Sequence, residues 1–520
     1  MTSGRIPVVG RGSFTSRYRW GGRAIVLRIR LLASLLLAPL LVGCFASSGG
    51  GSSDDASGGG RLRVGLAFPP AENLSPYGAD ATILTRLGVT EGLTSLDANG
   101  AAAPALAASW RQEGARTWVF TLREATFQDG TAVTPAAVAA SLTHATEAEP
   151  APAALAGVGL TAKAAGDTDV RITTDDPDSV LPLRLSSPSL AVLSAKAYGA
   201  DDRVDLVGTA TGPFELTKVM GSTAATLDRY DDYWGGRAQA PGIDVKFIPD
   251  GTARTSALRT GQIDLAEAVP VAQAASLDQG IRKATATTRT TSLLLNSASG
   301  PFEAAALRAA ARQAVDTSVL AEDVYEGYAD AGAGIYGPAV AWAEGRRTAP
   351  LGRAEAAKAE GTSITLATYD NRPELPEVAQ VLKQQLEKAG FDVTVELREY
   401  SRLESDALDG KFDALVLARN TLVDTGDPVS VLASDYTCDG GYNLAQLCDK
   451  DVDRAVAKAE DAVDTAERQD AAMAAEAEIL GTDAVVPLVH QRIITGVGTS
   501  VRGALLDPYE RTLVGLGTRR

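Results

Sequence analysis

The 520-residue sequence predicts an α/β protein built as two lobes, and three observations carry that expectation. About 460 residues follow an N-terminal leader and tether, more than one hydrophobic core usually serves. Residues 363–397 read as strand, helix and strand, a β-α-β unit whose two strands should run parallel. Strand-like runs punctuated by glycine and Asp-Gly turns recur outside that unit, with no internal repeat.

Taken in order, residues 61–68 (RLRVGLAF) alternate as a first strand. Short strand-like runs lie between Leu93 and Gly130, the clearest at 117–122 (TWVFTL). Thr134 and Pro135 open an Ala-rich helix to about His144, with Thr as N-cap and Pro at the first helical position. Residues 205–249 are strand-like with glycine punctuation, followed by a helix through Leu258 and a strand at 262–265. In the β-α-β unit, 363–367 is a strand, 371–373 a loop, and 375–388 a helix with Val378, Val381, Leu382 and Leu386 on one face. Gly390 ends that helix, and Phe391, Val393, Val395 and Leu397 alternate as the next strand. A further strand at 412–417 precedes a loop with Asp424 and Asp427. Residues 452–480 are Ala-rich, charged and expected to be helical throughout, and strands at 485–489 and 492–497 end the pattern.

The N-terminus reads as an address. Residues 1–30 carry seven arginines and no acid, 31–42 are mostly apolar, and Leu41-Val42-Gly43-Cys44 closes the segment. This is the positive, apolar, small-residue order of a secretory signal. Arg28 and Arg30 leave too few apolar residues for a spanning helix, which needs about 20. The four residues ending in Cys44 resemble a bacterial lipobox, which implies cleavage before Cys44 and lipid attachment to its thiol. The competing reading is a plain secreted protein in which Cys44 is incidental. Residues 46–60 are Gly/Ser-rich, so 44–60 is expected to be a lipidated cysteine and a flexible tether.

The formal charge is −16, and removal of the seven leader arginines leaves 42 basic against 65 acidic residues, or −23. Such an acidic chain is a poor partner for nucleic acid or an anionic lipid surface. After Cys44 only Cys438 and Cys448 remain, and two histidines leave few soft ligands for a transition metal. No cofactor or metal is expected. There is no Gly-x-Ser-x-Gly elbow and no His-Glu-x-x-His, so an enzyme is not expected; His144 and His490 read as packed or solvated residues.

In open α/β sheets ligands bind beyond the carboxyl ends of the strands. Arg372 directly follows one strand and Asp424 follows another after a short loop, so a cation and an anion could meet at one rim. Two solvated surface groups, or a structural Arg–Asp ion pair, are the competing readings.

An ordered series of motifs adds a family. Glu91-Gly92-Leu93, Ala107-Ala108-Ser109-Trp110, Phe127-Gln128-Asp129-Gly130 and Thr134-Pro135 come first. Thr211-Gly212-Pro213-Phe214, Tyr233-Trp234-Gly235-Gly236, Phe247-Ile248-Pro249-Asp250 and the run from Leu258 to Asp264 follow, then Leu295-Asn296, Pro301-Phe302 and Arg308 to Asp316. This series resembles family 5 solute-binding proteins, the peptide- and nickel-binding receptors of ABC importers, from about residue 61 to 515. The resemblance implies a two-lobed fold of the periplasmic-binding-protein type II kind (the large, cluster C form) with a hinge-closed cleft. Lobe I would combine 61–289 with 493–520, and lobe II would be 290–492, after a signal peptide at 1–43. It also implies a monomeric receptor, held by its lipid alone at the outer face of the cytoplasmic membrane, that docks onto ABC permease transmembrane subunits.

Within the family the C-terminal half is most similar to dipeptide- and oligopeptide-binding lipoproteins. Asn371-Arg372-Pro373 matches their Arg-Pro motif, whose arginine pairs with the peptide carboxylate. Asp424-Thr425-Gly426-Asp427-Pro428 matches a loop whose first aspartate takes the α-ammonium, with Thr425 replacing the family's Asn. Cys438 and Cys448 stand where the family has a disulfide; a redox or metal pair is the rival reading. Arg372, Asp424, Asp427, Tyr442 and Tyr77 are the candidate ligand contacts. For Asp427 a turn-organising role before Pro428 competes, and for Tyr77 and Tyr442 ordinary packing. The implied function is delivery of short peptides to the permease; a receptor for chelated nickel or another small metabolite is the alternative. A planar guanidinium fork suits a carboxylate, a compact carboxylate suits an ammonium, and burial on closure penalises a ligand lacking either end.

Overall fold

The β-α-β unit forms as its periodicity requires. Strand Thr362–Tyr369 pairs in parallel with Phe391–Arg398 over all eight residues, from Thr362 opposite Phe391 to Tyr369 opposite Arg398. Helix Glu374–Lys388 crosses between them and buries Leu375, Val378, Leu382 and Leu386, with Val381 half-buried beside them. Gly390 follows at φ +107°, and a Cβ there would press on the backbone of Ala359 and Glu360, so the return turn calls for glycine.

This computed structural model describes residues 60–520 apart from Ala156, Ala200, Asp201, Asp202, Asn371 and the side chain of Ser401. The expected leader at 1–43, Cys44 and most of the tether lie outside the described residues.

Among the described residues an eleven-stranded mixed sheet organises the body, ten strands in one path and the short Ala329–Ala331 pairing beside it with Val485–Val497. On one side it runs through Phe391–Arg398, Thr362–Tyr369, Ala414–Asn420, Arg282–Leu295 and Val485–Val497. On the other it continues through Leu265–Ala266, Leu62–Leu66, Gly242–Phe247, Ala224–Arg229 and Phe214–Met220. The long strand Val485–Val497 joins the two sides: it pairs antiparallel with Arg282–Leu295 along most of its length and with Leu265–Ala266 at its end. A separate antiparallel sheet in the order Ala107–Gly114, Thr117–Leu122, Asp169–Thr174 and Leu160–Ala165 packs on helix Pro135–Glu147. That helix begins as expected, with the Thr134 hydroxyl accepting from the Ala137 amide at 3.2 Å.

Three apolar cores result. One gathers Leu62, Val64, Val89, Phe214, Leu227, Val245 and Leu513; a second lies wholly within residues 93–192, around Phe120, Val138 and Ile172. The largest is built on Leu293, Leu366, Leu382, Leu432 and Val489, and it also takes in Ala257–Leu277 residues and Tyr509.

One expectation needs correcting. The stretch 452–480 is two helices, Lys450–Asp461 and Thr465–Gly481, rather than one. Asp464 caps the second by accepting from the Ala466 and Glu467 amides. Arg468 takes up the carbonyls of Ala459, Glu460 and Ala462, which a continuous helix would have used internally. In the opposite sense, the two C-terminal strands are one, Val485–Val497.

Parallel pairing decides where loops emerge. Leu62–Leu66 runs parallel to Gly242–Phe247 and Leu265–Ala266, so Phe68, Asp250 and Ala268 leave at one rim. Thr362–Tyr369 runs parallel to Ala414–Asn420, so the loops carrying Arg372 and Asp424 leave their strands at the same end.

Candidate functional site

At those strand ends lies a cavity of about 520 Å³. Its wall includes Phe68 and Pro69, Pro249 to Gly251 with Arg254, Ala268 to Val271, Tyr325, Asp370, Arg372 to Glu374 and the 491–494 part of the long strand. The charged groups in it are unequal. Arg254 is buried and donates to the carbonyls of Ile248, Glu267 and Ala268 at 2.5–2.6 Å, so its charge is spent on holding the backbone together. Arg492 is paired with Asp330 at 2.6 Å. Glu374 accepts from the Val271 amide at 3.1 Å.

Arg372 differs. Its guanidinium lies 5.6 Å from the centre of the Phe68 ring, and among the described residues no carboxylate comes within ion-pair distance of it. A half-buried cation on an aromatic face has the planar donor fork that suits an anionic group.

Asp424 stands on the loop after Ala414–Asn420, with its side chain 44 % exposed and 3.6 Å from Arg419. Arg419 also takes Asp435 through Nε at 3.0 Å and Nη2 at 3.4 Å, and it lies 4.7 Å from the Tyr442 ring centre. Burial works against the Arg419 charge, but Asp435 and Asp424 outweigh it and hold its pKa above the ordinary value. The sequence-level pairing alternative for Asp424 was Arg372; the partner it has is Arg419. Tyr442 shares a 2.5 Å hydroxyl contact with Tyr400 and lines a small cavity of about 10 Å³ with Arg419 and Asp435. Cys438 and Cys448 are joined, closing the loop that carries Tyr442. Gly426, at φ +74°, brings the Asp424 loop so close to Leu96 that a Cβ would clash at 2.8 Å.

Two candidates leave the ligand set. Asp427 is buried with both oxygens occupied: Arg468 donates Nε and Nη2 to them at 2.7 Å each, and Ser430 donates its amide at 3.0 Å, capping helix Pro428–Tyr436. It organises the turn and holds a buried ion pair. Tyr77 packs on the 93–192 core with its hydroxyl 3.4 Å from that of Tyr198. Of the five candidates only Arg372 lies on the wall of the 520 Å³ cavity, Asp424 and Tyr442 standing apart from it beside Arg419. The histidines are structural as well. His144 stacks on Tyr198 at 3.7 Å, and buried His490 bonds Thr290 at 2.9 Å and the Ala333 amide at 3.2 Å.

The C-terminal turn supplies residues that sequence reasoning missed. The Glu510 carboxylate accepts from Arg289 Nε at 3.0 Å and Nη2 at 3.1 Å, with Arg86 at 3.8 Å. Burial opposes its charge, yet Arg289, with Arg372 and Arg86 adding, holds its pKa down at about 2. Arg511 next to it is buried; desolvation lowers its pKa to about 10, and Asp424 is the first carboxylate that counters this. Arg372 and Asp424 thus act electrostatically on adjacent residues. Nothing in Pro508-Tyr509-Glu510-Arg511 marks it as site-forming, because its role depends on segments 88 or more residues away.

Comparison with known proteins bears on the fold and the family. The nickel-binding protein NikA of Staphylococcus aureus is 25% identical over 413 residues, 76% of this chain and 82% of that one. The glutathione-binding protein GsiB of Escherichia coli strain K12 is 25% identical over 468 residues, 84% of this chain and 90% of its own. Among solved structures, a dipeptide-binding protein from Pseudoalteromonas in complex with Met-Leu superposes with a TM-score of 0.75 at 19% identity, covering 88% of this chain and 99% of that one. Such a match at this identity speaks to fold, and it is the two-lobed binding-protein fold. Members of the family are solute-binding receptors of ABC importers rather than enzymes. Residues 101–443, well over half the chain, match the model of the bacterial extracellular solute-binding proteins, family 5 (middle part), and the chain belongs to that family.

Proposed function

We propose that this receptor delivers short peptides to its permease, closing on a zwitterionic ligand with Arg372 at the carboxylate and Asp424 on the ammonium side. The observation that carries the reading is Arg372: a cation on the wall of a 520 Å³ cavity with no carboxylate partner among the described residues. A cation held half-buried and unpaired costs free energy that a ligand carboxylate would offset. Asp424 is exposed enough to accept a further donor besides Arg419. Relatives named for glutathione, itself a tripeptide, and neighbours solved with short peptides support the same class. In this reading residues 61–289 with 493–520 form one lobe and 290–492 the other, Tyr442 borders the ammonium end, and the receptor is held at the outer face of the membrane through lipid on Cys44. Tethering keeps it at high local concentration beside its permease.

The relative named for nickel supports a second reading, a nickel chelate bound through the chelator's carboxylates. Among the described residues no group of three or more His, Cys, Asp or Glu could hold the ion directly, so the chelator would supply the coordination.

Calorimetric titration with di-, tri- and tetrapeptides, glutathione and nickel–histidine separates the two. Peptide binding lost in both Arg372→Ala and Asp424→Ala is the expected result. Peptide binding indifferent to both substitutions would sink the site assignment, and nickel–histidine binding with no peptide signal would favour the second reading.

A further inference from the structure

The turn at 507–512 is cross-braced by hydrogen bonds to its own carboxylate and from distant arginines. The Asp507 carboxylate accepts the amides of Tyr509, Arg511 and Thr512 at 2.8–2.9 Å. Glu510 sits at φ +59°, a left-handed conformation that a non-glycine residue holds only when its surroundings over-determine it. The determinants are visible: Arg86 donates to the Glu510 carbonyl at 2.7 Å and Arg289 forks onto its carboxylate.

These bonds fix the backbone that carries Arg511. Its guanidinium donates to the carbonyl of Val423 at 2.8 Å and, more weakly, of Leu422 at 3.4 Å, the two residues that precede Asp424. The other nitrogen donates to the carbonyl and hydroxyl of Ser186 at 3.1 and 3.0 Å, on the segment that follows helix Leu181–Arg184. One buried side chain therefore joins the Asp424 loop to the structure around the 93–192 core, and every hydrogen bond given for it goes to an uncharged acceptor. A buried cation satisfied only by neutral groups needs a compensating charge nearby, and Asp424 is the leading one.

We propose that Arg511 is the positioning residue for Asp424: it holds the backbone before Asp424 against Ser186 and so sets where the carboxylate meets a ligand ammonium. The inference rests on the zwitterion reading above and deepens it. Arginine is required because only its fork reaches the Val423 carbonyl and Ser186 together; a lysine has one point of attachment.

The test uses dialanine, N-acetyl-dialanine and dialanine amide, titrated into the wild type and Arg511→Lys. The wild type prefers the free amine over the acetylated form and the free acid over the amide. In Arg511→Lys the amine preference falls about tenfold while the acid preference, set at Arg372, stays within about twofold. In an Asp424→Asn background Arg511→Lys leaves the amine preference unchanged, because the residue acts through Asp424. A purely structural role would lower both preferences together, and that result overturns the proposal, as does an unchanged amine preference in Arg511→Lys. If Arg511→Lys fails to fold, Ser186→Ala, which removes one acceptor, gives a smaller shift in the same direction, and no shift there is equally fatal. A wild type without amine preference, or without binding of any of the three probes, refutes the zwitterion reading itself and this inference with it.

Discussion

Glu510 makes the fold acid-sensitive, and the size of the effect follows from its surroundings. Burial opposes its charge, but its pairing with Arg289, the Arg86 charge at 3.8 Å and Arg372 acting from farther off hold its pKa at about 2 against 4.5 for an ordinary glutamate. A carboxylate depressed in the fold contributes stability that is fully present above the unfolded value and is lost as pH falls through the folded one. At about 1.4 kcal/mol per pH unit, the depression is worth roughly 3 kcal/mol, lost between about pH 5 and pH 2. Glu510→Gln keeps the shape and removes the charge, so the variant should be less stable than the wild type by that order at pH 7. The gap should close as pH falls, because the wild type then protonates the same group. Urea denaturation of both proteins at pH 7, 5, 4 and 3 measures it. A gap that stays constant from pH 7 to pH 3 would refute the electrostatic account and leave only lost packing. A gap that widens in acid would contradict its sign.

Three further outcomes are expected. Asp427→Asn leaves the Arg468 guanidinium buried without its counter-charge and should cost about 3–5 kcal/mol in denaturant midpoint terms, with peptide selectivity unchanged in whatever fraction folds. Leu382→Ala, at a fully buried position under the parallel strands, should cost about 2–5 kcal/mol, read by the same titration, whereas a cost below 1 kcal/mol would mean the helix is not packed as described. Reduction of the Cys438–Cys448 bond, which spans ten residues of sequence, should lower stability by roughly 2–3 kcal/mol; thermal melts with and without dithiothreitol decide it.

The local architecture was readable from the chain wherever a single periodicity ruled. The alternation at Phe391, Val393, Val395 and Leu397 and the helical spacing of Val378, Leu382 and Leu386 specify their faces without reference to anything distant, and the elements form there. The same reasoning failed at 462–464, because what ends that helix is Arg468 reaching back for three carbonyls on its way to Asp427, a tertiary contact with no periodic trace. The ordered motifs from Glu91 to Asp316 were sufficient for family. Tyr233 and Trp234 donate to the Glu91 carboxylate at 2.7 and 3.1 Å, which gives that pairing of motifs a structural purpose within the fold.

The sequence by itself determined the family, the parallel unit and the two loops that emerge at one sheet end with Arg372 and Asp424. Only the tertiary structure decided which charges are spoken for. Asp427 went to Arg468, Asp424 leans on Arg419, Arg254 binds backbone, and Arg372 lies on the cavity wall against the Phe68 ring. The physical reason is that a salt bridge is a matter of distance and desolvation, and both are set by the return of residues 507–512 and 419–435 to the site from elsewhere in the chain.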